Sequence, residues 1–135
     1  MRCCWAAVGL SLIAAGCGVN VQPADLFLLT RTGQGKPLTL LVSDGGTIRC
    51  DGEPARALAD PLLLAARQLA GDLDTDVKMK LRITPAPGSV YTYTVKLQDG
   101  TLTFPDTAAA KHSELARAEL FTVQAAQGPC ARPPA

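Results

Sequence analysis

The segment VYTYTVKLQDGTLTFPD, Val90 to Asp106, constrains the fold more than any other stretch of the chain. Tyr91, Tyr93, Val95 and Leu97 alternate with Thr92, Thr94 and Lys96; Asp99-Gly100 breaks the run, and Leu102 and Phe104 resume it. Period-two alternation puts the apolar set on one face of an extended chain, and Asp-Gly adopts the left-handed conformations of a tight antiparallel connection. A two-residue turn at Asp99-Gly100 predicts Leu97 opposite Leu102 and Val95 opposite Phe104. The hairpin therefore has one face that must be covered.

The remaining segments supply the cover. DLFLLTRTG, Asp25 to Gly33, reads as a strand with a buried start, followed by the loop GQGKP. In LTLLVSDGGTIRCDG a three-residue turn at Asp44-Gly45-Gly46 sets Val42 opposite Ile48 and Leu40 opposite Cys50, keeping the apolar residues on one face. A two-residue turn would lose that agreement. Asp60-Pro61 predicts a helix start, with Asp60 capping free N–H groups. Leu62, Ala66, Leu69 and Leu73 form its apolar stripe, and the expected end is near Gly71 to Leu73.

Residues 77–84 alternate Val77, Met79, Leu81 and Ile83 with polar residues and read as a strand, with irregular structure or a further helical turn as the alternative. Ser113 to Gln127 reads as a second helix with Leu115, Ala116, Leu120 and Val123 inward, ended by Gly128-Pro129 and starting between Asp106 and Ser113. The expectation is an α+β domain over residues 25–130, in which antiparallel hairpins form one sheet and both helices pack on one of its faces. The expected order is ββ(β)αβββα. Residues 131–135, Pro-rich, form a frayed tail.

Ahead of this domain, Arg2 precedes an apolar run from Cys3 to Ala15 that carries no charge, the layout of an export signal. An uncleaved anchor helix is the competing reading, because the uncharged stretch reaches Gln22, though Gly16 and Gly18 weaken a helix there. LIAAGC, ending at Cys17, resembles the lipobox of bacterial lipoproteins, with Ala14 where Leu is usual. The resemblance implies that residues 1–16 are removed as a signal peptide and that the Cys17 thiol carries diacylglycerol. It makes the product a membrane-anchored, extracytoplasmic lipoprotein of the kind found as small domains in high-GC bacteria. Two or more acyl chains, at about 0.8 kcal/mol per buried CH₂, hold a protein stably at a bilayer. Residues 17–24 then comprise the lipidated cysteine and a tether whose seven residues, 18–24, span roughly 25 Å at most.

With Cys3 and Cys4 in the signal and Cys17 acylated, Cys50 and Cys130 remain, and export favours a disulfide between them. Their separation in sequence points to a structural staple rather than a redox pair.

The composition narrows the function. Without Arg2 the chain has 12 basic and 12 acidic residues, from 13 and 12 in full, and no basic cluster stands out, so nothing points to nucleic acid. His112 is the only histidine; it reads as a solvated residue near a helix start, and Ser113 beside it forms no catalytic pair. Asp72, Asp74 and Asp76 have calcium-loop spacing, but Val77 stands where the turn glycine belongs and Ile83 where the bidentate Glu belongs, so they read as a solvated acidic loop. GQGK at Gly33 to Lys36 is too short for a phosphate loop. Tyr91 and Tyr93 read as core rather than as a stacking platform. These residues imply no cofactor, no metal and no catalysis, and a binding or structural module with a protein partner at the envelope. The span Val90 to Gln127, a Y-x-Y-x-V-x-L-x-D-G-x-L-x-F-x-D hairpin followed by a helix, is similar to the emfourin-like inhibitors of thermolysin-type metalloproteases. That resemblance implies the alternative of a protease inhibitor, again on a small α+β domain, and assigns no inhibitory residue here.

Overall fold

In the computed structural model, described over Val21 and residues 24–84 and 86–131, the strands form one antiparallel sheet. The elements are β1 (Asp25–Gly33), β2 (Leu38–Ser43), β3 (Thr47–Cys50), β4 (Arg56–Ala57), α1 (Asp60–Lys78), β5 (Tyr91–Lys96), β6 (Thr101–Pro105) and α2 (Ser113–Gln127), with a short 3-10 helix at Asp106–Ala110. Spatial order is β4-β3-β2-β1-β5-β6. β1 is central because Phe27, Leu28 and Leu29 are buried in succession, a run that an edge strand could not cover on both faces.

The α+β class holds, with both helices contributing to the single core over one sheet face. That core joins Leu29, Leu40, Val42 and Ile48 of the first strands to Val95 and Phe104 of the hairpin, under Leu69 and Leu73 of α1 and Leu115 and Phe121 of α2. The three-residue turn is as expected: Leu40 pairs Cys50 and Val42 pairs Ile48.

The β5–β6 register differs from the expected one. Val95 lies opposite Leu102 and Tyr93 opposite Phe104, a slip of two residues, so the connection is the four-residue Leu97-Gln98-Asp99-Gly100. A two-residue slip preserves the apolar face, which is why alternation cannot see it. The Leu97 N–H donates to the Gly100 carbonyl at 2.8 Å. Lys78 Nζ ties the turn to α1 through Asp99 at 3.3 Å, beside Asp74 at 2.7 Å. Gly100 itself meets α1, since a Cβ there would lie 2.6 Å from Val77 Cγ1. We predict that Gly100→Ala costs about 1–3 kcal/mol by overpacking, and that adding Val77→Ala restores part of it. Denaturant titration of the single and double variants measures this; equal midpoints for wild type and Gly100→Ala would remove the contact as the reason for glycine.

Residues 77–84 form no strand. α1 continues through Lys78, and the chain then closes on itself: Lys80 N–H donates to the Val77 carbonyl and Leu81 N–H to that of Asp76. Lys80 takes φ +55°, the left-handed residue of a Schellman stop in which glycine is usual. The stop is therefore written without its normal residue, and Gly71, the expected end, sits mid-helix in open space. Asp60 does not cap α1; Ala59 occupies the cap position, and Asp60 lies in the first turn, where its charge still favours the helix dipole. The observed order is ββββαββα, with the two-residue β4 added and the strand at 77–84 absent.

α2 begins at Ser113, after the 3-10 helix. Its buried face is not the expected one. Leu115, Ala118, Phe121, Thr122, Ala125 and Ala126 point inward, while Leu120 is 56% and Val123 40% exposed. The helix is turned so that Phe121 meets Phe27 edge to face, with centroids 5.6 Å apart. Small alanines admit the aromatic ring, and the buried Thr122 hydroxyl is satisfied by donating to the Ala118 carbonyl at 2.7 Å.

Cys50 at the end of β3 and Cys130 just beyond α2 are joined in a disulfide, Cα atoms 5.8 Å apart. Arg56 Nη1 adds a hydrogen bond to the Pro129 carbonyl at 3.0 Å. Cys17, the signal 1–16 and residues 132–135 of the tail lie outside the described residues, as does most of the tether. Among the described residues no helix is long and apolar enough to cross a membrane.

Candidate functional site

The rotation of α2 that buries Phe121 also creates the most distinctive surface feature. With Ala118, Phe121, Thr122 and Ala125 inward, Leu120 falls outside the buried face and lines a groove whose facing wall is Ala65, Gln68 and Leu69 of α1. Phe121 and Leu69 supply an apolar floor; Arg117, Gln68 and Gln124 supply polar rims. Leu64 is 67% exposed one turn before Gln68, and Val123 stands one turn after Leu120. A large aliphatic side chain, Leu120, thus remains in solvent on the wall of an interhelical groove, where an ordinary outer helix face carries polar residues. The cavity is about 130 Å³. Small-molecule sites usually enclose about 300–1,000 Å³, so the groove suits one or two side chains of a macromolecule better than a free metabolite.

One end of the helix pair is closed by charge. Asp72 and Asp76 stand four residues apart in α1 and both face α2, rather than lying in a loop. Arg117 Nη2 binds Asp72 Oδ2 at 2.6 Å. Asp76 lies against Glu114, and its Oδ2 is buried without a hydrogen-bond partner. Burial, reinforced by the Glu114 charge and opposed by His112, raises the Asp76 pKa. His112 occupies the cap position of α2, partly covered, with Nδ1 3.4 Å from Glu114 Oε1. Asp74 points away, to Lys78. The calcium-like triplet is thus divided between two faces of a helix, and among the described residues no three His, Cys, Asp or Glu side chains are grouped to hold a metal.

Glu119, on the inner side of α2, is the most perturbed carboxyl. Burial first, and the Asp106 charge second, push its pKa up to about 7, and Oε1 has no hydrogen-bond partner. Tyr93 and Arg31 face the same region; Tyr93 is raised chiefly by burial and then by Glu119. Asp106 moves the other way: burial opposes its ionisation, but the N–H of Tyr91, the Ser89 hydroxyl and the N–H of Val90 together hold it below the usual carboxylate range. Tyr93 is stacked on Phe104 in the core, while Tyr91 carries the Arg31 guanidinium 4.7 Å from its ring centroid.

Glu119 has a pH signature. Unfolded, it titrates near 4.5; folded, near 7, so between these values the folded state binds more protons. Stability is then fullest below pH 4.5 for this group and declines as pH rises through 7. Glu119→Gln, which keeps the shape without the charge, is expected to flatten that decline. Chemical denaturation at a series of pH values measures it, and an unchanged slope would show that Glu119 does not titrate there.

Ser113 Oγ lies 3.5 Å from Glu114 and adjoins His112 only in sequence, and the cysteines near the core are bonded to each other. Gly33 ends β1, and residues 34–37, which include Lys36, form the β1–β2 connection. The groove escaped sequence reasoning because Leu120 and Val123 fit a helical stripe as well as the true one does. The signal that could have separated them is Phe121, whose bulk demands the interior and whose partners at i−3 and i+4 are Ala118 and Ala125. Comparison with family models, with characterised proteins and with solved structures finds no match to the chain.

Proposed function

We propose that the chain is a membrane-anchored extracytoplasmic lipoprotein whose domain is a non-catalytic binding module, and that the α1–α2 groove receives an apolar side chain of a protein partner at the envelope. The observation that carries the reading is the exposure of Leu120 on the wall of an apolar cavity of about 130 Å³. The neutral amide rims, Gln68 and Gln124, match a partner segment with backbone groups flanking one aliphatic or aromatic anchor. The LIAAGC motif supports the anchoring half of the reading.

A photoreactive amino acid placed at Leu120 in the membrane-bound protein tests the binding half. A discrete crosslinked product that disappears with Ala65→Asp, on the facing wall of the groove, is expected. No product at Leu120, with the protein present in membranes, removes the groove as a contact surface. Cys17→Ala is expected to abolish acylation and release the protein from membranes, and retention with unchanged mass would remove the lipoprotein reading. Slowing of a thermolysin-type protease by a stoichiometric excess of the domain would instead favour the inhibitor.

A further inference from the structure

Glu119 and the groove stand on opposite flanks of α2. Arg117, Leu120, Phe121 and Gln124 line the flank toward α1. At roughly 100° per residue, Glu119 points nearly opposite Arg117 and Gln124, toward the end of the sheet where Tyr93 and Asp106 lie.

These surroundings suit a neutral carboxyl and not a carboxylate. Glu119 Oε1 is buried without a hydrogen-bond partner, and a buried charge without partners is costly. The charged and titratable groups that face it are Asp106 of the 3-10 helix, Tyr93 of β5 and, beyond Tyr93, Arg31 of β1. Asp106 does not relieve the like-charge contact by taking a proton, because its Oδ2 already accepts the N–H of Val90 and that of Tyr91, each at 3.1 Å. Arg31 is engaged over the Tyr91 ring, 4.7 Å from its centroid. On α2 itself the residues three and four positions away, Leu115, Ala116, Thr122 and Val123, carry no charge. An ionised Glu119 therefore recovers its hydration by moving outward.

That movement has a consequence across the helix. Turning α2 about its axis so that Glu119 swings to solvent also swings Leu120 toward Ala65 of α1, because the groove lies on the far side of the axis. We propose that Glu119 is a proton-operated gate: protonated, it keeps α2 in the setting that leaves the groove open, and ionised, it turns α2 so that Leu120 closes the groove. The inference rests on the groove being the binding surface. Burial first, and the Asp106 charge second, raise Glu119 from its ordinary 4.5 to about 7 in the open setting. Proton binding thus favours the open groove fully below pH 4.5, and the preference is lost as the pH rises through about 7.

The test places a diazirine amino acid at Leu120 in the full, membrane-bound chain, illuminates it at two pH values and reads the products by mass. Between about pH 5 and about pH 8 the partner adduct is expected to fall on the order of tenfold, while insertion into α1, residues 60–78, rises. With Glu119→Gln, which stays neutral, neither product should change with pH. Equal α1 insertion at the two pH values, or an equal rise in Glu119→Gln, overturns the gate. A rise in α1 insertion that Glu119→Gln abolishes, with no partner adduct at either pH, upholds the turning of α2 and removes the groove as a contact surface.

Discussion

Removing the Cys50–Cys130 crosslink, by Cys50→Ala with Cys130→Ala, is expected to lower unfolding stability by roughly 4.5 kcal/mol. The loop closed is 80 residues long, and freeing a loop of that length returns about this much conformational freedom to the unfolded chain. For a domain of this size the loss corresponds to a melting shift on the order of 15 °C. The native state should survive. The Cys130 N–H still donates to the Ala125 carbonyl at 3.0 Å, and Arg56 still holds Pro129, so the segment keeps its place without the S–S bond. Both cysteines are nearly covered, at 3% and 8% exposure, so reductant should act only as fast as the end of α2 opens. Thermal melts of the oxidised protein and the double variant measure the effect. Coincident melts would show that the two thiols are not joined in solution.

What was legible in the sequence follows from period. Two-residue alternation marks which side of β2, β3, β5 and β6 is buried, and the three-residue turn at Asp44-Gly45-Gly46 can be fixed because only that register aligns Leu40 with Cys50. The same periodicity is blind to a slip of two, so it predicts the right face for this hairpin and the wrong turn within Leu97 to Gly100. Residues 77–84 misled for a related reason: Val77 satisfies the period of α1, four residues after Leu73, and the period of a strand at once. The helix stop that would have decided it uses Lys80 in the left-handed conformation where the expected residue is glycine. The acidic triplet reads as a loop for the same missing stop. For α2 the sequence predicts a helical stripe that is rotated from the buried one, because Leu and Val outweigh Ala on any hydrophobicity count, whereas the packing needs small residues beside Phe121. The groove is a consequence of that rotation, and so could not be read until it was known.

The setting of α2 has its own large expected effect. Phe27 is fully buried and lies at the irregularity of β1, where pairing with β2 shifts between Asp25 and Phe27. Phe121, 2% exposed, meets it at an interplanar angle of 79°. Phe27→Ala and Phe121→Ala should each cost about 3–5 kcal/mol, because each leaves a ring-sized void in a core that can close only by moving the helix. In the double variant the two losses should fall short of additive by about 0.5–1.5 kcal/mol, the part that belongs to the edge-to-face contact. Leu120→Ala provides the contrast: a mostly exposed leucine should change stability by no more than about 0.5 kcal/mol. A helix turned the other way, with Leu120 and Val123 inward, would reverse this ranking. Denaturant unfolding of the single and double variants therefore reads the rotation of α2 directly. A Leu120→Ala loss as large as that of Phe121→Ala would bury the groove and withdraw the surface on which partner binding depends.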